Sequence, residues 1–507
     1  MYCLRISFIV SVHLAESQVK LLMHQRFVDI SKSWFTYLDM VIIKHSFRSG
    51  VILSLSSGVV ALQGFLFAWV GELFRVTFNL GLVVNLYRDR CLNIIVGALL
   101  FNLEFTISIG IRVEAYCLLA TIILGSMSIG SILDSLGNFI LSSHRIDAQY
   151  RWIIESAAPS IISRMSVFEP LETGVISVDS LIPIGRGQRE LLVGDKQTGK
   201  TSIGIDSIIN QKYGLLLCVY IPIGQKASSI IEVFLSLVIR DASFYVSLLV
   251  AAASLSAVYQ FISGYTGSFL SEFFMLSFEI PSFLMLDDLS KHAVAYREIY
   301  LLLRCPPGRE AYPGEIFFVH SRLLERSSKL STMFGGGSCT SFPVIETLAG
   351  DVSAYITTNV ISITDGQLFL SLELFLSGIK PGIDIGLSVT RVGSAAQWNG
   401  MKILSGLYKL ELAQLVELQS FSQFAAELGI ETMYRLARGY ILLEMLKQCN
   451  GSPIKLAQQL GILSLCNQDI VRTINVDHVQ ALLQSYYSVP QWVIIIVPSR
   501  IVSTVLI

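Results

Sequence analysis

Apolar positions along this chain fall into three textures. From about Val41 to Tyr116, short runs of Val, Ile, Leu and Phe are broken by Gly58, Gly64, Gly71, Gly81, Gly97 and Gly110, which predicts several short strands despite poor alternation. Between about Leu118 and Ala395, apolar runs of strand length alternate with longer segments of helical spacing, the pattern of a parallel α/β core. Glu190 to Val193, Leu215 to Ile221, Ser282 to Leu286 and Asp384 to Val389 are the candidate strands. After about Met401 the apolar residues lie two to four apart (Leu404, Leu407, Leu410, Leu412, Leu415, Leu418), which predicts a helical C-terminal region. The last segment, Val493 to Ile507, is largely apolar and has no place in this scheme.

Composition complicates that reading. Charged residues make up 15% of the chain and mean hydropathy is +0.61, whereas soluble domains carry roughly 25% charge. Ala242 to Ser271 and Val51 to Gly71 contain no charged residue, and each exceeds the ~20 residues a spanning helix needs. Both are diluted by polar and small residues, and neither is flanked by a one-sided Lys/Arg cluster. A polytopic membrane transporter therefore stays open as an alternative at this point. Lys plus Arg (37) nearly cancels Asp plus Glu (38), so no basic excess exists to hold a nucleic acid. The eight cysteines are scattered without a C-x-x-C pair, which argues against a zinc site or a disulfide framework. Near the start, Ile6 to Leu14 is apolar but lacks the cleavage pattern of a secretory signal, and the region is not Arg- and Ser-rich like a transit peptide.

One motif carries chemistry. Gly194, Asp195, Lys196, Gln197, Thr198, Gly199, Lys200 and Thr201 match G-x-x-x-x-G-K-[ST], with the apolar run Leu191 to Val193 before them and a helix-like, isoleucine-rich segment after. In such a loop the backbone N–H groups and the helix N-terminus cradle phosphates. Lys200 neutralises the β- and γ-phosphates, and Thr201 can ligate magnesium. Phe283 to Asp288 is an apolar strand ending in acids, so Asp287 is the first candidate for a carboxylate in the magnesium shell and Asp288 the reserve; a helix N-cap is the competing role.

A rapid NTPase also needs a group to deprotonate or orient water. At the end of the run Leu215 to Gly224 stands Gln225, and a neutral amide cannot be a general base. The acids between the two motifs, Asp206, Glu232, Asp241, Glu272 and Glu279, do not directly follow such a strand. This predicts a chain that holds nucleotide but turns it over poorly, unless the base lies elsewhere.

Further motifs carry a resemblance. Pro183 to Glu190 (Pro-Ile-Gly-Arg-Gly-Gln-Arg-Glu) runs into the phosphate loop, and Asp287 to Lys291, Pro306 to Gly314, His320 to Arg326, Asn359 to Gln367 and Val392 to Gln397 follow. Together they closely resemble the alpha subunits of F-type ATP synthases. The likeness is good over about 150 to 450, looser to about 487, and faint before 115, where Asn102 to Gly110 carries it, with Leu133 to Gly137 just beyond.

The resemblance implies an α/β chain with an N-terminal β-barrel (41–117), a central RecA-like P-loop nucleotide-binding domain (118–398) and a C-terminal helical bundle (399–487). It implies a proton-translocating complex in which three alpha and three beta subunits alternate around a gamma shaft, with delta and a peripheral stalk, peripheral to a membrane. Translocase activity belongs to that complex; the alpha site holds ATP or ADP with Mg²⁺ without turnover, and Gln225 falls where the beta subunit has its catalytic Glu. Arg391, with Ser388 in the adjoining Pro381 to Thr390 segment, maps to the arginine that acts in trans on the beta site. Gln448 and Asn450 map to the adenine side.

Departures from the family pattern are Lys196, Cys305, Thr357, Thr390 and Ser131, and the apolar N-terminal third. Ile154 to Arg164 and Glu417 to Ala425 look plastid-like, so a chloroplast thylakoid surface is the expected location and the mitochondrial inner membrane the alternative. A stand-alone RecA-like motor is the first functional alternative, ahead of the polytopic membrane transporter. It is disfavoured by Gln225 and by the lack of a basic nucleic-acid surface.

Overall fold

A computed structural model describes residues 156–466 except 215, 304 and 423–429, separate stretches between 49 and 153, and Val479 and Leu483. The runs Ile6 to Leu14 and Val493 to Ile507 lie outside these residues, as do most of Asn102 to Gly110 and the end of Glu417 to Ala425. The chain divides into two compact units that meet in sequence at Leu119 and Ala120.

In the first unit six strands are described: β1 (Ser49–Ser56), β2 (Val59–Gln63), β3 (Glu72–Val76), β4 (Leu82–Asp89), β5 (Ile94–Leu99) and β6 (Arg112–Leu119). They close in the order β1-β2-β5-β4-β3-β6. Val60 and Leu62, and Phe74 and Val76, are buried two residues apart, with exposed Arg75 between the latter pair. That period of two is a strand with one buried face. The Phe65 and Phe74 rings meet at 4.7 Å in the interior.

The second unit is built on an eight-stranded sheet. A separate antiparallel pair joins β7 (Thr121–Leu124) to β9 (Tyr150–Ile153). The large sheet contains β8 (Ile132–Asp134), β10 (Glu190–Gly194), β11 (Leu217–Gln225), β12 (Val246–Ala252), β13 (Ser282–Asp287), β14 (Cys339–Glu346), β15 (Gly366–Leu370) and β16 (Val389–Thr390), in the order β16-β15-β10-β14-β13-β11-β12-β8. Every pairing is parallel except β15 with the short edge strand β16. The central strands β10 and β13 are buried throughout, because helices cover both faces of a parallel sheet.

The uncharged stretch Ala242 to Ser271 is β12 followed by the start of the helix Ala257–Ser277, whose residues are almost all buried. Its apolar character is that of an interior helix enclosed on all sides. No helix among the described residues is long and apolar enough to cross a membrane. One expected strand is corrected: Asp384 to Leu387 forms a turn, and only Val389–Thr390 pairs. The Asp384 carboxylate accepts the N–H groups of Gly386 (2.8 Å) and Leu387 (3.2 Å), so this acid holds the backbone in a turn instead of a ladder. C-terminal helices Asn399–Ser422, Ile430–Met445 and Leu456–Cys466 follow, and their apolar faces join one core with the sheet domain through Tyr408, Leu442 and Leu463.

Behind the sheet, His292 and His320 are fully buried with ring centroids 5.6 Å apart. His292 Nε2 lies 3.0 Å from the Phe261 carbonyl, whereas its Nδ1 and both nitrogens of His320 have no hydrogen-bond partner among the described residues. Burial pulls the His292 imidazole down to about 4 and, with His292 adding to it, that of His320 to about 3. Because the folded values lie below the unfolded one, these rings contribute stability above about pH 6.5 that is lost as pH falls through the window below it. Asp179, Asp206 and Asp288, each pushed up to about 6 by burial, act in the opposite direction over part of that window. The diagnostic quantity is therefore a difference between variants. His320→Leu should gain roughly 2 kcal/mol relative to the wild type between about pH 7.5 and about pH 5, read from paired urea-unfolding curves. A pH-independent difference would show that His320 is protonated as readily folded as unfolded.

Candidate nucleotide-binding site

β10 delivers the phosphate loop at its C-terminal end, where open parallel sheets bind ligands. A side chain at Gly194 would lie 2.6 Å from the Leu370 carbonyl, so only glycine lets the strand turn here. Gly199 sits at φ +92° before the helix Lys200–Asn210, a left-handed conformation that glycine adopts without strain. The Lys200 ammonium donates to the carbonyls of Gly194 (2.8 Å) and Asp195, inside the curl of the loop. Burial lowers its proton affinity, and Glu346, Asp287, Asp288 and Asp195 oppose that effect.

The loop's other members divide into braces and exposed groups. Asp195 Oδ1 accepts from the Thr347 hydroxyl (2.7 Å) and the Gly350 N–H (2.8 Å), and the Thr198 hydroxyl donates to the Asp195 carbonyl (2.8 Å). Asp195 thus ties the loop to the segment after β14. Lys196 projects outward, 4.0 Å from Glu346, and Gln197 takes a positive φ of 63° at the loop's crest.

The two acids after β13 are separated by role. Asp287 Oδ2 accepts from the Thr201 hydroxyl (2.8 Å) and the Tyr220 hydroxyl (3.1 Å), so it faces the phosphate loop. Asp288 instead caps the helix Leu289–Leu302, accepting the Lys291 N–H at 2.7 Å with the Lys291 ammonium at 3.4 Å. Gln225 ends β11, and the register shift between Ile223 and Gln225, around Gly224 at φ +61°, aims it back over the sheet. Its amide donates to the Asp287 carbonyl at 3.2 Å.

Three of the acids considered from sequence do not join the loop. Glu272 is buried against Arg326, Asp241 pairs with Lys212, and Glu232 lies on an exposed turn of the helix Ala227–Ile239. Asp206 accepts the Gly451 N–H (3.2 Å) two helical turns below the loop and lines the cleft beside it. Sequence reasoning missed Glu346. It ends β14 in register with Gly194, its N–H is held by the Ser290 hydroxyl (3.0 Å), and its carboxylate lies 4.0 Å from the Lys196 ammonium of the loop.

Beside the loop opens a shallow cleft, lined by Thr198, Gly199 and Ser202 on one side and by Phe375, Gln448 and Asn450 on the other. Residues some 250 positions apart are thereby brought together. Gln448 is fixed through its amide to the carbonyls of Gly174 (2.9 Å) and Ser452 (2.7 Å). The parts present are a backbone cradle, a buried ammonium, a paired hydroxyl and carboxylate, and an adjoining cleft.

Residues 174–390 match the ATP synthase alpha/beta family, nucleotide-binding domain, and residues 397–491 match the ATP synthase alpha/beta chain, C terminal domain. The chain belongs to the ATP synthase alpha/beta family. It is accordingly a nucleotide-binding subunit of an ATP synthase complex. The cleft lies where the two matched domains adjoin, with the loop from the first and Gln448 and Asn450 from the second.

Arg391 does not join this site. Thr390 pairs with Gly366, which pairs with Glu190, so Arg391 lies level with Arg189. Five strand residues, about 17 Å, separate that level from Gly194. Arg391 is exposed, and among the described residues no side chain pairs with its guanidinium. Ser388 is buried, and its hydroxyl accepts the Phe369 N–H (2.9 Å), which gives it a place in the sheet edge.

Proposed function

We propose that this chain is the alpha-type, regulatory subunit of an F-type ATP synthase: it holds Mg-ATP or Mg-ADP without turnover and lends Arg391 to the catalytic site of an adjacent beta subunit. The observation that carries the reading is Gln225. At the end of β11, against Asp287, the chain presents an amide that cannot accept a proton from water. Arg391 supports the second half of the reading, because the strand register sets it at the opposite end of the sheet from its own phosphate loop. Exposed Leu387 and Val389 beside it suit burial against a neighbouring protomer.

Thr201 and Asp287 are the residues that would hold magnesium, since a hydroxyl and a carboxylate converge there and hard oxygen donors suit that ion. When bound, the ion neutralises phosphate charge. Tyr220 and Gln225 keep Asp287 oriented toward Thr201, and Lys200 is positioned to meet the terminal phosphates. The six-stranded first unit is assigned to the N-terminal barrel of such subunits, and gamma, delta and the peripheral stalk are the further partners. The plastid location rests on the likeness of Ile154 to Arg164 and Glu417 to Ala425.

Glu346 favours a second reading, a stand-alone ATPase, because it ends β14 in register with Gly194 and sets a carboxylate beside the phosphate loop, 4.0 Å from the Lys196 ammonium. The two are separated by purifying the chain with and without a beta partner and measuring ATP binding and hydrolysis. The alpha-type reading expects binding by the chain alone and hydrolysis only in the mixture. Brisk hydrolysis by the lone chain, abolished by Glu346→Gln, would establish the second reading instead.

A further inference from the structure

The segment Gly185 to Glu190 leads into the phosphate loop, yet its side chains do not serve that loop. Gln188 is fully buried: its carbonyl oxygen accepts the Gly185 N–H (2.9 Å), and its amide donates to Glu190 (2.7 Å) and to the Thr390 hydroxyl (2.8 Å). Arg189 grips Asp365 through two parallel bonds, Nε to Oδ2 at 3.0 Å and Nη2 to Oδ1 at 2.7 Å, and its own N–H adds a third at 3.1 Å. The Asp365 carbonyl in turn accepts the N–H of Arg391 at 2.9 Å.

Two braces thus converge on Thr390, the last residue of a strand that is only two residues long and lies at the sheet edge, and on Arg391 just beyond it. Such a strand has little hold of its own on its position. Glu190, which accepts the Gln188 amide, is wholly buried and lies so close to Gly366 that a side chain there would come within 2.4 Å of its carboxylate.

We propose that Gln188 and Arg189 are positioning residues for Arg391, and that the segment before the phosphate loop is a platform for the arginine delivered to the neighbouring subunit. This rests on the trans role given to Arg391 above. A guanidinium that stabilises a transition state must be placed accurately, and a misplacement of about 1 Å costs on the order of 10²-fold in rate.

The test is made in the ring reconstituted with its beta partner, with Arg189→Ala and Thr390→Val as single variants. Thr390→Val exchanges a hydroxyl for a methyl and carries the test if Arg189→Ala does not assemble. The expected result is a fall in kcat of on the order of 10²-fold for Arg189→Ala and about tenfold for Thr390→Val, with KM and nucleotide binding at the chain's own site unchanged. Arg189→Asp combined with Asp365→Arg should regain part of the loss. On an Arg391→Ala background, Arg189→Ala should cost nothing further, because the group it positions is gone. Full additivity on that background, or near wild-type kcat in both single variants, overturns the proposal while leaving the role of Arg391 intact. If Arg391→Ala alone leaves kcat unchanged, the trans role fails and the platform with it.

Discussion

Arg391→Ala should reduce hydrolysis by the assembled ring about 10³- to 10⁵-fold, while the isolated chain binds nucleotide as before. The size follows from what the group does. Charge spreads over the equatorial oxygens of the transferring phosphoryl group, and a guanidinium supplied by a neighbour stabilises that charge where water is excluded. The loss should fall on kcat with KM little changed, since the interaction matures only in the transition state. Arg391→Lys should recover only a small part, because an ammonium keeps the charge but not the planar fork. Steady-state kinetics of rings built with each variant check this. A wild-type kcat for Arg391→Ala would remove the trans function from this chain, whatever its own site binds.

The phosphate loop was legible because its information is local: eight consecutive residues, a strand before and a helix after. Asp287 and Asp288 show where that locality ends. Both follow an apolar run, and only the fold shows one turned to Thr201 and the other to the next helix. β14 escaped notice because Pro343, Thr340 and Ser341 interrupt the apolar pattern, although it is a central strand with Leu286 paired to Pro343. Glu346 was lost with it. Asp384 to Val389 erred the other way, an apolar run whose first acid bends the chain into a turn. Gln448 and Asn450 could be linked to the loop only by family likeness, since no periodicity spans that separation. Arg391 needed the pairing register of two strands to show that it cannot serve its own site.

The second large effect concerns stability. Arg326 and Glu272 are almost wholly buried, and the guanidinium donates to Glu272 Oε2 through Nε (2.9 Å) and Nη2 (2.6 Å). The Ser156 hydroxyl closes the network, accepting from Arg326 (2.8 Å) and donating to the same carboxylate oxygen (3.1 Å). The pair pins the end of the helix Ile316–Leu324 to the helix Ala257–Ser277 behind the sheet. Arg326→Ala removes the positive partner and leaves a carboxylate enclosed with one hydroxyl for company. The expected cost is about 3–5 kcal/mol, read as a lowered urea midpoint at unchanged slope. The pair itself contributes far less than that figure, because both ions lost their water on burial. Replacing both residues by methionine should therefore recover most of the loss, since apolar side chains of similar volume fill such a site at little or no net cost. If the double variant is as unstable as Arg326→Ala, the network holds the helices by its geometry and not merely by cancelling charge.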